Sequence, residues 1–297
     1  MFEGIFTAVI TPMRENGDLV PEQWEAQVRA QMAAGIHGLI IGGTTGEFYA
    51  LTVAERIAQF EQAQSIVGRQ QPWLAGVNAI TTRDAITLAK AARAANAHGI
   101  LLGAPPYVSP TEDELADHCI AVAQAAGVPV VLYNYPARTN ADMGAHFFAR
   151  IAGRPEFVAL KESTGNMKRA QELLRDFPDI ALCCGSEDLA LDFFALGARM
   201  WICATSNFAP QLILDLYEAC VTQGDFARGR GLSAELAALT YALEEGGKFI
   251  GAVKHACARA GLCEPWLRAP LSPLTAEEGR ALDAILDQLH PAGKVAA

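Results

Sequence analysis

Short apolar runs alternate along the chain with longer segments of helical periodicity. The apolar runs fall at residues 4–9, 38–41, 73–77, 99–102, 128–133, 157–161, 180–184 and 200–203. Each is bounded by glycine, proline or polar turns and reads as a strand buried on both faces. Between them lie segments rich in Ala, Leu, Glu and Gln with the helical period, as at 53–67, 83–95 and 112–126. Strands separated by helices predict right-handed βαβ units and a parallel sheet. Eight such strands are the number that closes a (β/α)8 TIM barrel, an α/β fold.

An internal echo supports this reading. Ala34-Gly35-Ile36-His37-Gly38-Leu39-Ile40-Ile41-Gly42 recurs as Ala95-Asn96-Ala97-His98-Gly99-Ile100-Leu101-Leu102-Gly103, and more weakly as Leu196-Gly197-Ala198-Arg199-Met200-Trp201-Ile202-Cys203. Each copy sets a C-capping Gly or Asn shortly before a buried strand. His37 and His98 fall in these helix-to-strand loops, on the barrel face associated with stability, and read as structural. After the eighth strand the pattern turns wholly helical, at 210–221, 226–243, 248–260 and 276–289, the last following a Pro-rich stretch at 265–273. The expected division is a barrel over 1–224 and a C-terminal helical domain over 225–297.

Composition narrows the classes. With 51% hydrophobic and 19% charged residues, 297 residues can bury a large core within one barrel. A net charge of −10 argues against nucleic acid or an anionic membrane as partner. The N-terminus passes into a strand-like run without a basic segment and apolar core, so no signal peptide is expected. Seven cysteines without a C-x-x-C suit reduced thiols in a cytoplasmic protein. Six scattered histidines, with no H-E-x-x-H, give no support for a metal.

In a barrel the chemistry belongs to strand C-termini and the loops after them. There the chain places Gly42-Gly43-Thr44-Thr45-Gly46-Glu47 after strand two and Pro105-Pro106-Tyr107 after strand four. Tyr133-Asn134-Tyr135-Pro136-Ala137-Arg138-Thr139 follows strand five. Gly185-Ser186-Glu187 follows strand seven, and Ala204-Thr205-Ser206-Asn207 strand eight. Lys161 ends the apolar run Phe157-Val158-Ala159-Leu160 and precedes the polar turn Glu162-Ser163-Thr164-Gly165-Asn166. An ammonium at the mouth of a buried strand is costly, and a lysine that is neutral part of the time can form a Schiff base with a ketone. The ordinary alternative is an ion pair with a neighbour such as Glu162. The glycine-rich turn 42–46 offers backbone N–H groups and two hydroxyls to a carboxylate or phosphate, although a tight turn alone also explains its glycines. Tyr133 is a candidate proton relay or a buried phenol. Arg138 is a bidentate carboxylate clamp or a loop salt bridge.

Taken together, Gly43-Thr44-Thr45-Gly46-Glu47, Tyr133-Asn134-x-Pro136-x-Arg138-Thr139 and Lys161-Glu162-x-Thr164-Gly165-Asn166 resemble the dihydrodipicolinate synthase / N-acetylneuraminate lyase family. Leu267-Arg268-x-Pro270-Leu271-x-Pro273-Leu274 is similar to that family too, so the likeness spans nearly the whole chain. The resemblance implies a homotetramer, a dimer of dimers, running class I aldolase chemistry on pyruvate without metal or other cofactor. By resemblance, Lys161 forms the imine, and Thr45 with neighbouring amides such as that of Gly43 holds the carboxylate. Tyr133 moves protons through Thr44 to Tyr107 of an adjacent subunit. Ser186 and Cys203, at the ends of strands seven and eight, complete the expected substrate-binding set.

Arg138 matches the synthase branch, where it clamps the carboxylate of an aldehyde such as aspartate semialdehyde; sialic acid lyases generally lack it. Ser186 and Asn140 stand where that branch commonly has glycine, and Val77-Asn78-Ala79-Ile80 departs from its usual sequence. Phe48, Tyr49, Val53, Arg56, Ile80 and Pro106 supply few of the polar groups of a regulatory lysine site. The alternatives are a relative acting on a 2-keto-3-deoxy acid or a hydroxyproline-pathway imine, and a keto-acid-binding barrel without turnover. A phosphosugar isomerase is disfavoured because Glu187 sits where a phosphate would prefer no acid.

Overall fold

In the computed structural model, which describes residues 2–289, the eight apolar runs are the eight strands. They are β1 (Gly4–Ala8), β2 (Gly38–Ile41), β3 (Trp73–Gly76), β4 (Gly99–Gly103), β5 (Val130–Asn134), β6 (Phe157–Glu162), β7 (Ala181–Cys184) and β8 (Met200–Cys203). All pair in parallel with their sequence neighbours, and β8 pairs with β1 to close the barrel. β5 starts later than its hydropathy suggests, because Pro129 has no N–H to give the ladder.

The two-residue period of the strands divides the core in two. Phe6, Ala8, Ile40, Leu74, Leu101, Val131, Ala159, Cys183, Met200 and Ile202 fill the barrel interior. Their neighbours, among them Ile5, Leu39, Ile41, Trp73, Leu132, Leu160 and Trp201, face outward onto the helices. Because both faces are covered, the strands read as continuous apolar runs rather than alternating ones.

The surrounding helices are α1 (Pro21–Ala33), α2 (Val53–Ile66), α3 (Thr82–Ala94), α4 (Glu112–Ala126), α5 (Pro136–Thr139), α6 (Ala145–Ile151), α7 (Met167–Asp176), α8 (Ala190–Ala195) and α9 (Pro210–Tyr217). Reciprocal capping boxes, Thr52 with Glu55 and Thr111 with Glu114, set the starts of α2 and α4. The helix expected over 210–221 changes its winding at its end. After Tyr217 the chain widens into a π-turn over Glu218–Thr222, closed by the Gln223 N–H on the Glu218 carbonyl at 2.9 Å.

The internal echo has a structural counterpart. Gly35 and Asn96 adopt left-handed φ values of 81° and 55° at equivalent positions. Two residues on, His37 Nδ1 accepts the Ile5 N–H at 3.1 Å, and His98 Nδ1 accepts the Trp73 N–H at 3.4 Å. Burial lowers the pKa of both imidazoles, which suits a neutral ring acting as acceptor. Both histidines therefore tie the start of one strand to the loop before the next.

Three further helices, α10 (Phe226–Glu245), α11 (Phe249–Arg259) and α12 (Ala276–Leu289), pack on one another, and α10 also lies against α8 and α9. Residues 290–297 of the expected helical domain lie outside the described residues. Two polar contacts fix these helices to the barrel. Lys254 of α11 and Glu47 of the loop after β2 form an ion pair with both side chains fully buried. Arg268 reaches back to Glu55 at 2.6 Å and to the carbonyls of Gly17 and Ala50. Among the described residues no helix is long and apolar enough to cross a membrane.

Candidate active site

The side-chain alternation of β5 and β6 decides which polar groups enter the barrel. Lys161 lies two residues beyond the inward Ala159, and Tyr133 two beyond the inward Val131. The two are paired in register across the strands, and Lys161 Nζ lies 4.3 Å from the centroid of the Tyr133 ring. Lys161 is 8% exposed. Its neighbour Glu162 points the other way, accepting bonds from Arg169 Nε at 2.8 Å, the Thr164 N–H at 2.7 Å and Asn134 Nδ2 at 3.2 Å. The ion pair between adjacent residues is thus absent, since consecutive strand residues face opposite sides.

Lys161 opens into a cavity at the strand C-termini. Gly43, Thr44 and Thr45 form one wall, at the end of β2. The turn needs glycine at 46, where a Cβ would come within 2.9 Å of the Val9 carbonyl oxygen. Gly185 is required beside the lysine itself: a Cβ there would lie 2.0 Å from Ser163 Oγ and 2.9 Å from Lys161 Cγ. Ser186, next in the chain, lines the cavity.

Arg138 stands at the mouth on the short helix α5, its Cζ 5.2 Å from the Tyr135 ring centroid. Among the described residues it makes no salt bridge, so the loop ion pair open from sequence is not formed. The turn closing α5 ends at Asn140 with φ 54°, a left-handed conformation that asparagine tolerates better than most residues in place of glycine.

Two expected site residues do not line the cavity of their own chain. Cys203 is the correction: it is fully buried on the outward face of β8, 3.2 Å from Glu187 Oε2, and inward-facing Ile202 lines the cavity instead. The error is one residue of strand phase, which reverses the side. Tyr107 is 90% exposed, in the loop after β4, with φ 76°.

Other residues in the wall carried no motif. Glu187 is consumed as a cap, accepting the Ala204 and Thr205 N–H groups at 2.7 and 3.1 Å and the Thr205 hydroxyl at 2.5 Å. Glu244 and Phe249 reach the cavity from α10 and α11. Glu244 Oε1 accepts the Glu187 N–H at 2.8 Å. Burial pushes the Glu244 carboxyl up to about 7, with the charges of Glu187 and Asp188 adding and that of Lys161 opposing. Nothing separates Glu244 from Glu245 in the sequence; only the docking of α10 over the barrel mouth does. Burial raises the Cys183 thiol, the register partner of Lys161, to about 12, which keeps it protonated beside the amine. Among the described residues no cluster of three or more His, Cys, Asp or Glu side chains has metal-ligating geometry.

The arrangement is a buried amine on a tyrosine face, a glycine-threonine turn offering amides, and a guanidinium at the entrance. Such a set can bind a keto acid, convert its carbonyl to an imine and receive an acidic partner.

The comparisons agree with this geometry. The model of the dihydrodipicolinate synthetase family matches residues 1–289. A 4-hydroxy-tetrahydrodipicolinate synthase of Thiobacillus denitrificans is 36% identical over 290 residues, covering 95% of each chain. One from Neisseria gonorrhoeae is 35% identical over 284 residues, covering 95% of this chain and 96% of the relative. Among solved structures, dihydrodipicolinate synthase from Aquifex aeolicus superposes with a TM-score of 0.91 at 30% identity, over 97% of this chain and 98% of that one. A chloride-inhibited dihydrodipicolinate synthase from Acinetobacter baumannii, complexed with pyruvate, gives 0.91 at 29% identity over 97% and 99%. With the barrel, the inward lysine and the match along the described chain in agreement, the protein belongs to the dihydrodipicolinate synthetase family.

Proposed function

We propose that this chain is a class I, Schiff-base-forming pyruvate lyase that condenses pyruvate with an acidic aldehyde such as aspartate semialdehyde. The observation that carries this reading is the inward placement of Lys161 against Tyr133, beside the Gly43–Thr45 turn, in one cavity. Lys161 Nζ attacks the pyruvate ketone and water leaves, giving a protonated imine. The amides around Thr45 and Gly43 hold the carboxylate. The imine draws electrons from C2, a C3 proton is lost, and the enamine attacks the aldehyde carbon. Tyr133 carries the protons, and Arg138 holds the carboxylate of the aldehyde.

The exposed Tyr107, together with Tyr49, Ile80 and Val108 as exposed apolar side chains, is consistent with a homotetramer in which Tyr107 extends the relay through Thr44 of an adjacent subunit. In this reading the helical domain expected over 225–297 closes the barrel mouth through α10 and α11.

A second reading rests on Ser186, which adds a hydroxyl to the cavity wall. It suits a hydroxylated 2-keto-3-deoxy acid cleaved in the retro-aldol direction. Turnover of the purified enzyme with pyruvate against a panel of aldehydes, and of 2-keto-3-deoxy acids without pyruvate, separates the two. Cleavage of the keto acids without condensation of any acidic aldehyde would overturn the synthase reading.

A further inference from the structure

Four charged side chains line the cavity without an ionic partner among the described residues, Lys161, Arg138, Glu187 and Glu244, and the Glu187 oxygens are taken by the loop after β8. Two of them have assigned work under the proposed function, the lysine as electrophile carrier and the arginine as carboxylate clamp. Glu244 has none, and its sign is wrong for a site whose two substrates are both acids. A carboxyl beside two bound carboxylates would repel them unless one ligand also brings a positive charge.

The carboxyl is held in place rather than loose. Oε1 is fixed by the Glu187 N–H at 2.8 Å, while Oε2 accepts no hydrogen bond from the described residues. Glu187 cannot take over its role, because both of its oxygens are occupied by the backbone and hydroxyl of the loop after β8. Glu244 and Arg138 border not only the main cavity but also the adjoining vestibule lined by Gly247, Lys248 and Leu271. The two residues thus border the junction of the same two cavities.

We propose that Glu244 determines which second substrate is accepted, by binding the ammonium of an α-amino aldehyde whose carboxylate is gripped by Arg138. An α-amino acid head carries both charges on one carbon, and the entrance presents the complementary pair. The acidic surroundings favour a cation over a neutral hydroxyl, since only a cation relieves the repulsion among Glu187, Asp188 and Glu244. The elevated Glu244 carboxyl, at about 7, has the same origin, and a bound ammonium would draw it down.

The inference rests on the proposed pyruvate chemistry and is tested so that the two fail separately. Wild type and Glu244→Gln are assayed with pyruvate and an acidic α-amino aldehyde, and with the same aldehyde lacking the amine. Glutamine keeps the acceptor for the Glu187 N–H, so the wall stays in place. With the amino aldehyde, kcat/KM of the variant falls about 10- to 100-fold, mainly through KM, as for loss of one charge-assisted contact. With the desamino aldehyde the variant and wild type agree within about twofold, and pyruvate trapping by borohydride is unchanged. Equal losses on both aldehydes, no loss on either, or wild-type preference for the desamino compound would overturn the assignment. Absence of borohydride trapping in wild type would instead overturn the pyruvate reading. The Glu244 pairing is then decided by equilibrium binding of the amino aldehyde to wild type against Glu244→Gln, where equal affinities overturn it.

Discussion

Tyr133 and Lys161 stand opposite each other in register across β5 and β6, with the lysine Nζ 4.3 Å from the centroid of the tyrosine ring. Their side chains enter the barrel together because each lies an even number of residues from an inward apolar neighbour. The phenol ring thus lies beside the amine at the inner face of the barrel.

Pyruvate with borohydride inactivates the enzyme irreversibly, and the reduced adduct maps to the peptide containing Lys161. Two other lysines are poor candidates: Lys248 pairs with Glu278 at 2.8 Å, and Lys254 is buried against Glu47. Peptide mass analysis of the trapped protein decides the point. An adduct on Lys248 or Lys254, or none, removes the Schiff-base assignment.

Tyr133→Phe keeps pyruvate binding and loses about 10²–10⁴-fold in kcat, the usual size of a general acid–base contribution. The aromatic ring remains to cover Lys161, and only the hydroxyl is lost. Trapping yield as a function of pyruvate concentration reports binding, and steady-state assays report turnover. If binding falls as far as kcat, Tyr133 shapes the pocket rather than moving protons.

Arg138→Ala leaves borohydride trapping intact and lowers kcat/KM for the second substrate. Losing a charge-assisted bidentate contact is worth roughly 2–4 kcal/mol, or about 30- to 1,000-fold. Arg138→Lys recovers little, because an ammonium cannot present the planar fork. Unchanged kinetics with every competent partner would show that Arg138 does not hold the substrate.

Lys254→Met destabilises the fold by about 3–5 kcal/mol, because Glu47 is left as an uncompensated buried charge. Burial already raises the Glu47 carboxyl, so part of the loss returns as the pH is lowered and the group takes a proton. The double change Lys254→Met with Glu47→Gln restores most of the stability. Urea denaturation of the three proteins measures these differences, and additive losses in the double variant would contradict the pairing.

His118 supplies an acid-sensitive element. Its Nδ1 lies 2.9 Å from Thr82 Oγ1, and burial lowers its pKa from 6.5 to about 4. The unfolded chain therefore binds a proton that the fold refuses between these values. Stability from this group is complete above about pH 6.5 and is lost as the pH falls towards 4, to a limit of about 3 kcal/mol. In His118→Asn that part of the pH dependence disappears from denaturation midpoints measured between pH 7 and 4. An unchanged slope would assign the acid sensitivity to other groups.

Much of the fold was legible because a two-sided parallel barrel writes itself as apolar runs separated by amphipathic helices. Strand bounds at 38–41 and 200–203 and the helix at 112–126 coincide with those found. The cavity-lining positions of the motif residues Thr44, Thr45, Tyr133, Arg138 and Lys161, and of Ser186 at the end of β7, were legible for a related reason. Site groups of a barrel cluster at strand C-termini, so position along the chain nearly specifies position in space. Strand phase was less legible. A run apolar on both faces carries no alternation, and Cys203 could not be told from Ile202 by hydropathy.

The sequence by itself determined the order of strands and helices, the turn glycines, and the strand-end lysine and tyrosine, because these depend on residue type and local spacing. Tertiary structure alone decided which neighbour faces inward, that Glu47 pairs with Lys254 across more than two hundred positions of chain, and that Glu244 overlooks the cavity. Each of those depends on how distant segments pack. The desolvation that raises Glu244 or buries the Glu47–Lys254 pair exists only once the helices have closed over the barrel.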